Sequence, residues 1–138
     1  MSALSRLLLA GLALALAATA RADGTFITHP AGPDALSRDE VKNILLGTRA
    51  KWDSGTLVKL AVLSGGPTHE SLIQEFTARS ADQFDKYWKK QVFTGKGSAP
   101  EAMKSDAEMI AYVSATAGAF GYVSAVPTGA AVKPIAIK

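Results

Sequence analysis

The chain has 138 residues, with 15 Lys and Arg against 12 Asp and Glu, a formal net charge of +3, and no cysteine. That length suits one domain. The lack of cysteine excludes a disulfide framework, a lipobox and a thiol nucleophile.

The first segment reads as a secretory signal over residues 1–22. Arg6 gives a positive start, Leu7 to Ala18 form an uncharged apolar run, and Ala20-Arg21-Ala22 places small residues where a signal peptidase reads them. Cleavage is expected before Asp23, giving a periplasmic protein of residues 23–138. The apolar run is short for a membrane span, and no second long one follows. Loss of Arg6 and Arg21 leaves 13 basic residues against 12 acidic, so the mature charge is about +1. Nucleic acid is not an expected partner for such a balance.

Thr25 to His29 is a β-like run, followed by a loop with two prolines, Pro30 and Pro33. Ser37 and Glu40 form a capping box that opens a helix over 37–46, whose apolar face carries Val41, Ile44 and Leu45. Gly47 ends it. Asp53-Ser54-Gly55 is a turn, and Leu57 to Leu63 is a mostly apolar strand, expected inside a sheet. Pro67 suits the first position of a helix over 67–79. Ser80 and Gln83 form a second capping box, opening a helix over 81–92 with Phe84, Tyr87, Trp88 and Val92 at helical spacing. Phe93 to Pro100 reads as a flexible connector, and Ser105 with Glu108 as a third capping box for a helix over 106–116, closed by Gly118. Phe120 to Ala125 and Val132 to Lys138 are two more strands, the last with a proline that suits a sheet edge. The order β-α-β-α-α-α-β-β predicts an α/β lobe, a small mixed sheet covered by helices.

Enzyme signatures are absent. The sequence has only two histidines, His29 and His69, and neither HExxH nor GxSxG. Gly95-Lys96-Gly97-Ser98 reads as a plain loop, because a phosphate-binding Walker pattern needs a glycine where Lys90 stands. His69 is expected to be solvated, His29 to line a turn, and Trp52 and Trp88 to be packing residues. No catalytic residue, cofactor or metal is expected. The best candidate site is the strand-to-helix turn Ser64 to Ser71. Gly65 and Gly66 allow close backbone approach, Thr68 and Ser71 offer hydroxyls, and the first N–H groups of a helix point outward without internal partners. The same residues are equally those of a plain helix-starting turn, with Gly66 as N-cap and Pro67 at the first position.

Three segments together resemble the phosphate-binding periplasmic proteins of ABC transporters and their shorter relatives. One is carried by Leu36, Ser37, Glu40, Ile44, Gly47, Trp52, Asp53 and Gly55. The second carries Trp88, Phe93, Gly95 and Gly97, and the third Gly118, Ala119, Gly121, Tyr122 and Val123. Thr28 to Pro33 is similar to the family's Asn-Pro segment, with His29 in the asparagine's place. The resemblance spans nearly the whole mature chain and implies a periplasmic-binding-protein-like fold. The family's receptors have two lobes that close on the ligand, whereas about 116 mature residues make one. Its binding turn carries an arginine and then Ser-Gly-Thr. Here Glu70, Ser71 and Leu72 fill those places and no arginine precedes them.

Two readings follow. In the first the protein is a secreted solute-binding module that holds phosphate or another oxyanion weakly, through Ser64, Gly65, Gly66, Thr68 and Ser71, and serves a membrane transporter or receptor. In the second it is an interaction or sensor-accessory protein that binds a protein partner, or a second copy of itself as a homodimer.

Overall fold

The computed structural model describes residues 24–138. The expected signal segment lies outside the described residues. Five strands, β1 (Thr25–Thr28), β3 (Lys59–Leu63), β4 (Glu101–Met103), β5 (Ala119–Val123) and β6 (Lys133–Pro134), form one sheet in the order β4-β3-β5-β1-β6. β3 runs parallel to both β4 and β5, while β1 is antiparallel to β5 and β6. Two short strands, β2 (Ala35–Leu36) and β7 (Ala136–Ile137), pair in parallel beside it. The mixed α/β architecture expected from the sequence is the one observed.

The helices are α1 (Arg38–Leu45), α2 (Pro67–Thr77), α3 (Ala81–Phe93) and α4 (Asp106–Ala115). Ser37 and Ser80 each complete a reciprocal capping box, with Glu40 and Gln83. The third box is only half made. Ser105 accepts from the Glu108 N–H, but the Glu108 carboxylate takes the Lys104 N–H instead of that of Ser105. α2 stops at Thr77, short of Arg79, because Ala78 turns left-handed (φ 58°) and its N–H closes on Gln74.

Both faces of the sheet are covered. On one face Phe26, Phe120 and Tyr122 meet α2 and the loop before β3: Phe26 packs edge-on against Phe76 at 5.0 Å, and Trp52 lies 6.2 Å from Phe120. On the other face Gly121 lies so close to α4 that an added Cβ would come within 2.5 Å of Met109 Sδ. α3 closes the end of α1: the Tyr87 hydroxyl and the Trp88 indole N–H donate to the Leu46 and Leu45 carbonyls, which helix geometry leaves free. Both tryptophans are therefore buried packing residues, as expected.

The strand expectations need correction at several points. The stretch after the connector contains β4, a strand that was not anticipated, and β3 begins at Lys59 because Leu57 instead bridges Lys51 across the preceding turn. The last strand is split at Ile135 into β6 and β7, with Pro134 at the sheet edge as expected. None of the described helices is long and apolar enough to cross a membrane.

Candidate functional site

β3, β4 and β5 run parallel, so their carboxyl ends share one edge of the sheet, where open α/β sheets commonly bind ligands. Ser64 to Gly66 leave β3 at that edge and lead into α2. Ser64 is exposed, and its N–H is already used, donating to the Met103 carbonyl at 2.8 Å. Gly65 and Gly66 are exposed with nothing within 4 Å of where a Cβ would stand. Gly66 is the N-cap, at φ 98°, and supplies no side-chain cap. The first helical turn, with Pro67 at its start, thus presents the Thr68 and His69 N–H groups without intrahelical acceptors.

The five candidate residues do not face one way. Ser64 and Gly65 line a groove of about 840 Å³. Thr68 is half-buried on another face of α2, its methyl close against Gly24, and Ser71 lies one turn further along, also half-buried. No arginine lines the groove, and Glu70 does.

The groove runs between α3, the start of α2, the ends of β3 and β4, and the connector at Ala99-Pro100. Phe84, Trp88, Val92 and Phe93 belong to its apolar wall, and Phe93 is 91% exposed. Asp82 and Asp85 at its rim pair with Lys86 and Lys89 one helical turn on, at 3.1 and 3.0 Å. Exposed pairs of this kind hold charge balance more than stability.

His69 corrects the expectation of a solvated side chain: it is 7% exposed. Its ring stacks on Tyr122 at 6.1 Å, and Nδ1 lies 2.5 Å from the Tyr122 hydroxyl. That hydroxyl also accepts the Leu63 N–H at 3.2 Å. Burial pushes the His69 pKa below its usual value against the opposing carboxylates of Glu70 and Asp85, so the ring is neutral at pH 7. Burial likewise raises the Tyr122 phenol. The missed signal was positional: His69, Leu72, Ile73 and Phe76 stand at i, i+3, i+4 and i+7, so the histidine belongs to the apolar stripe of α2. His29, by contrast, lines its turn as expected, Nδ1 accepting the Ala31 N–H. Among the described residues no group of His, Cys, Asp and Glu could hold a metal ion.

At the same edge Asp106 accepts from both the backbone N–H and the hydroxyl of Ser124, tying the start of α4 to the end of β5. The sequence offered no cue to this long-range tie.

No protein-family model matches the chain, and no curated protein matches it. Solved structures do. A protein assigned as a phosphate ABC transporter substrate-binding protein, with bound phosphate, from Clostridium perfringens is similar with a TM-score of 0.64 at 16% identity, over 83% of this chain and 44% of that one. An ABC-type phosphate transport receptor from Vibrio cholerae gives 0.60 at 14% identity, over 83% and 45%. PstS from Borrelia burgdorferi gives 0.61 at 14%, over 83% and 47%. The chain spans less than half the length of these proteins, and at such identity the likeness is one of fold.

Proposed function

We propose that this chain is a solute-binding-like module related to phosphate ABC transporter substrate-binding proteins, exported to the periplasm after loss of residues 1–22, which binds phosphate or a similar oxyanion only weakly. The observation that carries the reading is the shared fold of three phosphate-transport proteins, from three organisms, over 83% of this chain. The turn Ser64 to Ser71 is the proposed contact. It leaves the carboxyl end of a parallel strand, and its open helix N-terminus has two exposed glycines before it. A transporter or membrane receptor is the partner class that follows from this reading.

Weak binding follows from magnitudes. An exposed helix N-terminus contributes about 0.3–1 kcal/mol to an anion, and each charge-assisted hydrogen bond about 1.5–3 kcal/mol. Micromolar affinity needs about 8 kcal/mol, and immobilising the ligand costs several more. Glu70, exposed beside the turn, opposes an anion, and among the described residues no guanidinium lines the groove to offset it. A dissociation constant in the millimolar range or weaker is expected.

The test is calorimetric titration of the exported protein with phosphate. Glu70→Ser strengthens binding about five-fold, as removal of one nearby like charge across water gives, and Gly65→Ala, which narrows the open approach to the turn, weakens it. Micromolar binding by the wild type would restore a full transport-receptor role. Heat changes identical with and without phosphate for both the wild type and Glu70→Ser would refute oxyanion binding.

A further inference from the structure

The groove beside the turn has a chemistry unlike that of an anion site. Its wall is mostly apolar with charged residues among its lining, and it is lined by His69, whose proton is fixed by its neighbours. The Tyr122 hydroxyl accepts the Leu63 N–H, so its single proton must find another acceptor, and His69 Nδ1 at 2.5 Å is the one within reach. The reverse arrangement, with Nδ1–H donating to Tyr122, would leave the phenol proton buried without a partner, which native cores avoid. His69 therefore carries its proton on Nε2. Among the described residues Nε2 has no hydrogen-bond partner, yet the only buried side-chain nitrogen or oxygen there without one is Thr28 Oγ1. Nε2 thus keeps access to the groove that His69 lines.

The geometry points to a second binding site in this groove, for a small, uncharged, predominantly apolar molecule whose carbonyl oxygen accepts a hydrogen bond from His69 Nε2–H. Three observations select that class. The space, about 840 Å³, lies within the range of small-molecule pockets. Phe84, Trp88 and Val92 provide an apolar wall for a hydrocarbon body. Glu70 lines the groove next to His69, and no cation pairs with it among the described residues, whereas Lys89 is held by Asp85, so an anionic head meets net negative charge. This site does not depend on oxyanion binding at the turn.

Octanamide and octanoate, matched in chain length and differing in head charge, test it. The exported protein is titrated with each at neutral pH, following the His69 ring nitrogens by NMR together with calorimetry. Octanamide is expected to saturate and to shift the Nε2–H signal, with octanoate about ten-fold weaker, a factor typical of one unfavourable polar contact in a desolvated site. His69→Phe weakens octanamide about ten-fold, as loss of one hydrogen bond gives, and His69→Gln, which keeps a donor, restores part of it. Should His69→Phe fail to fold, Glu70→Gln at the exposed rim serves instead and raises octanoate binding towards that of octanamide. The proposal is overturned if octanamide leaves the His69 signals unmoved, if wild-type protein binds octanoate as well as octanamide, or if the ring proton is found on Nδ1. It is also overturned if apparent affinity falls as protein concentration rises, because a second copy of the chain would then be the groove's occupant.

Discussion

Gly118 and the Gly65-Gly66 pair sit at opposite ends of the same parallel strands, and their surroundings differ. Gly118 enters β5 at φ +84°, where an added Cβ would stand 2.1 Å from the Leu57 carbonyl oxygen. Its own carbonyl accepts both the Lys59 N–H and the Trp52 indole N–H at 2.9 Å. Gly65 and Gly66 leave β3 with open space around them. Gly118 is locked by packing and hydrogen bonds, and the Gly65-Gly66 pair is left open. Glycine at the locked end answers to the fold; at the open end nothing crowds Gly65, so the backbone there is open to close approach.

Substitution at each end measures that contrast. Gly118→Ala should cost about 3 kcal/mol or more, since it combines left-handed strain with a backbone clash that no side-chain movement relieves. Urea denaturation gives the value, and a loss under about 1 kcal/mol would mean the turn is looser than described. Tyr122→Phe should come next, at about 1–3 kcal/mol, because it strands the buried Leu63 N–H and His69 Nδ1. A wild-type melting curve for that variant would show the hydroxyl to be dispensable.

The histidine at the open end also gives the molecule a pH dependence. Its folded pKa is depressed from 6.5 by burial, so the unfolded chain takes up the proton first. The His69 contribution to stability is present above about pH 6.5 and falls away as pH drops from there towards the lower folded value. Melting temperatures across that window should decline for the wild type and stay flatter for His69→Phe; parallel curves would contradict the assignment. Gly65→Ala should have the smallest effect, within about 0.5 kcal/mol by chemical denaturation, while still weakening whatever approaches the turn.

The parts that sequence made legible share a physical cause. Ser37-Glu40 and Ser80-Gln83 announce their helices because a capping box is a local device, complete within four residues. β4 was hidden for the opposite reason: Glu101 to Met103 are three residues after a proline, two of them exposed, and they become a strand only through pairing with β3. The turn at Ser64 was readable from Gly-Gly-Pro, but the groove beside it was not. Its wall comes from α3 and the connector, which reach the end of β3 only in three dimensions. The burial of His69 lay in the periodicity of α2, outweighed there by the ordinary preference of histidine at a helix start for solvent.

We propose the open end of the sheet as a weak oxyanion site. Amide NMR shifts of the protein during phosphate titration test it most directly, because they report location and affinity together. The account predicts that Gly65, Gly66 and Thr68 move, with a midpoint in the millimolar range or weaker, while Gly118 and its neighbours stay fixed. Shifts that saturate at micromolar phosphate, or that appear anywhere but this turn, would contradict it.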